Sequence, residues 1–344
     1  VQVEQEKVLV FGSGGFIGTY LVNELLRQGY AVTASDFSKF GELYYTENNI
    51  PYVSVDITKK EDFDRIPFVE YAAVINLAAV QPANVSEKNF DPRDYINVNV
   101  TGTLNILDFC KRSKAGKMIY ASSHRNTQGL WAQDKAIKES EGRAPRLAGE
   151  YAMFSISESA AQDCVTFYNQ AYGLPTILFR LPPVYGYGPH TEIFKEGKPI
   201  KTGFQTFIDQ AIAGKPIELW GDITVGRDII YVKDVVDAFV KAIASDRSGE
   251  LYNITSGKYL TIKEQAELTA KVFWKEGETP QFIERPEKAH TMDSFLYDNT
   301  KAREQLGWVP QYNFEQMLED IKKEMADKKF EYLLKKRQSM LDEG

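Results

Sequence analysis

Residues 7–18 read Lys7-Val8-Leu9-Val10-Phe11-Gly12-Ser13-Gly14-Gly15-Phe16-Ile17-Gly18: an apolar strand runs straight into glycines spaced G-x-x-G-x-x-G, and an amphipathic helix follows. The unbroken apolar run Val8 to Phe11 is the pattern of a parallel strand covered by helices on both faces. From Thr19 to Gln28 apolar residues recur at helical spacing, and Gly29 reads as the stop. Each glycine has its own task. Gly12 permits the tight turn, Gly15 lets main-chain N–H groups approach a pyrophosphate at the helix N-terminus, and Gly18 permits close packing of helix on sheet. Ala31 to Ser35 reads as the next strand, and Asp36 at its end lies eighteen residues beyond Gly18, where a carboxylate accepts adenosine ribose hydroxyls. An acid at that place repels a 2′-phosphate, so the expected cofactor is NAD rather than NADP.

Working outward, strands and helices alternate through the first two-thirds of the chain, which predicts a doubly wound parallel α/β sheet of Rossmann type. Strands are expected at 7–11, 31–35, 51–55, 72–77, 117–121 and 175–180, with helices near 17–28, 91–113 and 152–172. Later apolar runs at 217–220, 229–232 and 251–254 read as short strands between helices near 204–213, 233–244 and 261–274. The expected organisation is a dinucleotide-binding domain at 1–180, with the chain crossing back near 225–250. A smaller α/β substrate-binding lobe at 181–330 and a helical tail at 331–344 complete it. Residues 122–150, rich in charge, Gly and Gln, read as a long loop of the kind that often carries function.

Composition narrows the classes. With 344 residues the chain suits two lobes, and a net charge of −7 argues against a general nucleic-acid surface. Cys110 and Cys164 both fall in apolar helical patterns and read as buried thiols of a reducing compartment. With no 18-residue apolar run and no charged-then-apolar leader in this sequence, the expected location is the cytoplasm, away from membranes. His124, His190 and His290 are scattered, and no metal-ligand spacing occurs.

The chain resembles the extended short-chain dehydrogenase/reductases, specifically the nucleotide-sugar epimerase/dehydratase branch typified by UDP-glucose 4-epimerase. The resemblance spans roughly residues 7–325. It rests on the ordered motifs Gly12 to Gly18, Val55-Asp56-Ile57, Asn76-Leu77-Ala78-Ala79, Asn97 to Thr103, Tyr120-Ala121-Ser122-Ser123, Arg180 with Val184-Tyr185-Gly186, Gly221 with Arg227-Asp228, and Leu306 to Pro310. It implies an NAD site formed by Gly12, Gly15, Phe16, Ile17, Gly18, Asp36, Asp56, Ile57, Leu77, Ala78, Ala79 and Asn97. In that set Asp56 takes the adenine amino group, and Asn97 holds helix and strand backbone around the active site. It also implies a nucleotide-diphosphate sugar as substrate, met by Val80, His124, Pro183, Trp220 and Arg227. Arg227 pairs with the diphosphate, and a second cation for that group is Arg285 or Lys288. Pro183 stands where relatives often have Asn, which removes a substrate hydrogen bond. A homodimer, through helices near 97–112 and 154–172, is the family's assembly.

The family's catalytic row is a Ser/Thr, a Tyr and a Lys, in which lysine and oxidised nicotinamide bring the phenol toward neutrality, a task of roughly 4 kcal/mol. Ser123 is the candidate hydroxyl. The first tyrosine after the loop, Tyr151, is followed four residues later by Ser155. Counting back from Arg180 by the family's spacing instead selects Phe154-Ser155-Ile156-Ser157-Glu158, so that Phe154 stands at the tyrosine position and Glu158 at the lysine position. Phe has no proton to move, and Glu reverses the supporting charge. Three accounts are open: an engineered inactive pair; altered chemistry that uses Tyr151, Glu158 or His124; or a non-catalytic NAD and nucleotide-sugar binder. The resemblance implies hydride transfer at sugar C4, impaired as the chain stands. No acid follows Ser123, which disfavours dehydration; reduction and dehydration by altered residues stay open.

Overall fold

The computed structural model describes residues 5–82, 91–132, 135–149, 151–188, 192–195, 198–288 and 293–342. Strands β1 (Lys7–Phe11), β2 (Ala31–Asp36), β3 (Tyr52–Ser54), β4 (Ala73–Asn76), β5 (Met118–Ser123) and β6 (Thr176–Leu181) join strand Glu250–Asn253 in one seven-stranded sheet. Its order is Glu250–Asn253, β6, β5, β4, β1, β2, β3, and every pairing is parallel. The chain winds outward from β1 in one direction and from β4 in the other. That reversal opens a crevice beyond the C-terminal ends of these two strands, where ligands bind in open α/β sheets.

Helices cover both faces. On one, α1 (Phe16–Arg27) packs on a later helix, Val232–Ala244, so that Leu21, Val22 and Leu25 share a core with Val235, Val236 and Phe239. On the other, the helix after β4 and the long helix Ala152–Tyr172 bury Ile106, Leu107, Phe109, Ala161 and Val165 against Leu9, Phe11 and Tyr120. The connection between β2 and β3 is α2 (Lys39–Glu47), capped by the Ser38 hydroxyl, which accepts the Gly41 N–H at 3.2 Å.

The expected helix over 91–113 forms in three parts: α3 (Pro92–Tyr95), a π-helical stretch Ile96–Gly102, and α4 (Thr103–Ser113). Widened turns of this kind often mark functional positions. The expected helix near 152–172 is α5 (Ala152–Tyr172), and the 122–150 loop contains a tight helical run at His124–Leu130.

Beyond β6 the elements are smaller. Strands Ile217–Trp220 and Phe282–Arg285 pair in parallel, with α6 (Gly203–Ala213) and a helix at Ile262–Phe273 beside the former. The sequence reading missed Phe282–Arg285, because its residues are exposed or half-buried and carry no apolar alternation. It also placed 251–254 with the smaller part, whereas Glu250–Asn253 closes the edge of the main sheet beside β6. The 331–344 tail forms a helix, Glu331–Asp342, but it is docked rather than free. Tyr332 stacks on Tyr44 at 4.2 Å, and Leu333 is fully buried.

Candidate dinucleotide and substrate site

At the C-terminal end of β1 the main chain does most of the work. Gly12 has φ +74°, and a Cβ there would stand 2.7 Å from the Ala78 nitrogen and the Leu77 carbonyl carbon. A Cβ on Gly18 would lie 2.3 Å from the Gly12 oxygen, so α1 can approach β1 only because that atom is missing. Gly15 differs. Its added Cβ would meet a single protein atom within 4 Å, the Gly12 oxygen at 3.3 Å. Protein packing alone gives a weak reason for glycine here; an approaching ligand gives a stronger one. Gly15 is also the N-cap of α1 and contributes no side-chain cap, an arrangement suited to an anion at the positive end of the helix dipole.

Asp36 ends β2 and leans over this loop. One carboxylate oxygen accepts the Gly14 N–H at 3.0 Å and the other the Ser38 N–H at 2.7 Å. The carboxylate is therefore fixed beside the glycine turn, as a ribose-binding acid requires. Asp56 is held by the Thr58 N–H and hydroxyl at 3.0 and 2.7 Å, and Ile57 is pressed onto Gly102, which has no room for a Cβ. These features fit NAD.

Asn97 requires correction. It is exposed, whereas Asn99 is fully buried and clasps the chain beyond β4. The Asn99 amide oxygen accepts the Val80 N–H at 2.7 Å, and its NH2 donates to the Val80 carbonyl at 3.1 Å and to the Ser157 hydroxyl at 3.0 Å. One side chain thus ties the Val80 segment, the π-helical stretch and α5 together. The signal was present: Asn99 shares a helix face with Gly102, Thr103 and Ile106, all of them buried, and Asn97 does not.

At the N-terminal end of α5, Phe154 is buried and Glu158 is 1% exposed. The Tyr120 hydroxyl donates to Glu158 Oε1 at 3.1 Å, and Glu158 Oε2 has no partner among the described residues. Burial pushes the Glu158 carboxyl up to about 8, only partly offset by the Tyr120 hydrogen bond. At neutral pH it is therefore an uncharged acid and not the anion that the residue name suggests.

β5 delivers the next group. Ser123 caps the following turn, its hydroxyl accepting the Arg125 N–H at 3.2 Å. His124 packs against the rings of Trp131 and Phe295, each 5.3 Å away. Its Nδ1 is 3.1 Å from the Leu181 carbonyl, which can only accept, so Nδ1 carries the proton and Nε2 keeps a lone pair. Among the described residues no group hydrogen-bonds Nε2. Burial first, then Arg125 and Arg227, hold the ring well below the usual histidine range and therefore neutral. Arg125 is 8% exposed, with its guanidinium carbon 3.7 Å from the Tyr151 ring centre and 5.2 Å from that of Trp131. Neither Arg125 nor Arg227 has a carboxylate partner among the described residues, and Arg227 Nε has no hydrogen bond. Sequence reasoning passed over Arg125; its side chain is brought to the site only by tertiary packing.

The remaining candidates gather on the smaller part. Trp220 and Arg285 face each other across paired strands, and Lys288 Nζ sits 4.3 Å above the Trp220 ring. Trp220 is 48% exposed, which rules out the core role for this aromatic. Glu218, also missed, bridges Arg285 at 3.3 Å and Lys288 at 2.7 Å, so both candidate cations are present and share one acid. Pro183 uses its carbonyl to accept the Ile230 N–H at 3.1 Å. His190 and His290 lie outside the described residues.

Comparison with known proteins agrees with this geometry. Residues 8–255 match the model of the NAD dependent epimerase/dehydratase family. The UDP-glucose 4-epimerase of Mycolicibacterium smegmatis is 28% identical over 310 residues, covering 89% of this chain and 94% of that protein. The dTDP-glucose 4,6-dehydratase of Haemophilus influenzae is 26% identical over 334 residues, covering 90% and 95%. Among solved structures, the Thermus thermophilus UDP-glucose 4-epimerase in complex with NAD superposes with a TM-score of 0.72 at 25% identity, covering 92% of this chain and 97% of that one.

Proposed function

The chain belongs to the NAD-dependent epimerase/dehydratase family, and on that premise we propose that it holds NAD and a nucleotide-diphosphate sugar in the crevice beyond β1, β4 and β5, with C4 hydride chemistry by the family's Tyr/Lys route disabled. When bound, NAD supplies a hydride acceptor. The chain's own residues cradle its pyrophosphate at Gly12 to Gly18, accept ribose hydroxyls at Asp36 and receive the adenine at Asp56. Arg227 with Arg285 or Lys288 is assigned to the diphosphate, Trp220 to the nucleotide base, and Ser123 to a sugar hydroxyl. In this reading residues 1–180 with the return near 225–250 carry the cofactor, and 181–330 carry most of the substrate contacts.

The observation that carries the proposal is Glu158. A charged lysine at this place would stabilise a phenolate; a buried, uncharged carboxyl bonded to Tyr120 stabilises nothing on Phe154, which has no proton to give. Loss of such a general acid/base slows turnover by about two to four orders of magnitude. The test has two parts. Mass spectrometry of ligands released on denaturation should find NAD. The exchange Phe154→Tyr with Glu158→Lys should bring nucleotide-sugar turnover that the chain as it stands lacks; robust activity without the exchange would overturn the disabled route.

A second reading, altered acid/base chemistry, is favoured by one observation. His124 is neutral and, directly after Ser123, its Nε2 lone pair has no hydrogen-bond partner among the described residues. Glu158 is engaged by Tyr120, and Tyr151 lies under the Arg125 guanidinium. Activity that survives in Tyr151→Phe but vanishes in His124→Ala would establish this second reading.

A further inference from the structure

A buried guanidinium without an acid is an unfinished ion pair. Removing a charge from water is expensive unless it is paired, and buried charges in proteins accordingly have partners. Arg125 is 8% exposed and has no carboxylate partner among the described residues; beside it are Tyr151, through ring and hydroxyl, the face of Trp131, the Tyr297 hydroxyl and, electrostatically, a second cation, Arg227. Stacking on two aromatic faces offsets part of the desolvation and fixes the guanidinium plane, so that only the edges of the fork remain for a partner. Near it are the polar atoms His124 Nε2 and Arg227 Nε, which have no hydrogen-bond partner among the described residues.

Arg285 and Lys288 belong to the smaller part; Arg227 lies near enough to act on Arg125 electrostatically, but only Arg125 follows Ser123 and His124 at the end of a central strand, with its main-chain N–H bonded to the Ser123 hydroxyl. Resting on the nucleotide-sugar reading above, we infer that Arg125 is the receptor for a carboxylate carried by the sugar, so that the substrate is a nucleotide-linked sugar acid. The planar fork presents two parallel N–H donors to a planar carboxylate, the pairing in which Arg is favoured over a point charge. Among the described residues no acid occupies that place, and in this reading the ligand supplies it.

The test is calorimetric titration of the NAD-saturated protein with UDP, UDP-glucose and UDP-glucuronate. UDP-glucuronate should bind about ten- to a hundred-fold more tightly than UDP-glucose, the range of charge-assisted hydrogen bonds. Arg125→Gln should bring that ratio close to one and leave UDP affinity within about two-fold. Arg125→Lys, which keeps the charge and loses the fork, should give an intermediate ratio, and it carries the test if Arg125→Gln does not retain NAD binding. Equal affinities for the two sugars in the unaltered protein would overturn the inference. So would an Arg125→Gln protein that loses UDP as strongly as UDP-glucuronate, since the anion bound there would then be the diphosphate. If none of UDP, dTDP, GDP and CDP binds, the nucleotide-sugar reading itself fails, and the carboxylate assignment falls with it.

Discussion

The two ends of the crevice are built by different means. At the glycine loop the fit is made by main chain: Gly12 against the backbone of Leu77 and Ala78, Gly18 against the Gly12 oxygen, and both Asp36 oxygens on N–H groups. At the segment after β5 and the start of α5, the fit is made by side chains, and His124, Asn126 and Glu158 each keep a buried polar atom without a partner among the described residues. In the first region a single added carbon at Gly12 or Gly18 would overlap backbone, whereas the second is made of side chains, Phe154 and Glu158 among them.

This contrast can be broken experimentally, most strongly at the second region. Exchanging Phe154→Tyr with Glu158→Lys should raise turnover by about two to four orders of magnitude with little change in NAD affinity, measured by steady-state kinetics and titration. At the glycine loop, Gly18→Ala should destabilise the fold by about 1–3 kcal/mol in denaturant unfolding, because its Cβ overlaps backbone that cannot yield. Gly15→Ala should leave stability nearly unchanged and weaken NAD binding. If both glycines behave alike, the separation between a packing glycine and a ligand-facing one is wrong.

The asparagine pair gives a smaller effect. Asn99→Ala leaves the Val80 N–H and C=O without partners and should cost roughly 1–3 kcal/mol, whereas Asn97→Ala, on the exposed face, should stay within about 0.5 kcal/mol. The shallowest effect is a pH slope. Glu158 keeps its proton in the folded protein up to about 8, while in the unfolded chain it loses the proton near 4.5. The folded state therefore binds more protons across that window, and this contribution is full at low pH and lost as pH rises through it. The slope is at most about 1.4 kcal/mol per pH unit. Glu158→Gln keeps an acceptor for Tyr120 and should remove this part of the slope; identical pH profiles for the two proteins would contradict an uncharged Glu158.

Much of the molecule was legible beforehand, for reasons visible in particular residues. The strands at 7–11, 31–36 and 118–123 announced themselves because parallel strands covered on both faces must be apolar along their length. Helix Ala152–Tyr172 ended where a left-handed Gly173 lets it end. Strand Phe282–Arg285 was not legible, since its residues are exposed or half-buried. The choice of Asn99 over Asn97 needed the burial of one helix face, and the sharing of Glu218 by Arg285 and Lys288 needed two strands far apart in sequence to pair.

The sequence by itself determined the doubly wound sheet and the glycine turn with its carboxylate at Asp36, and by its resemblance to the family it raised the expectation that Phe154 and Glu158 stand at the Tyr and Lys positions. Those are properties of local spacing and of residue chemistry. Only the tertiary structure decided the charge state of Glu158, the free nitrogen of His124 and the unpaired guanidinium of Arg125. Each depends on how far surrounding elements exclude water and on which partners they bring within hydrogen-bond reach, and neither quantity is written along the chain.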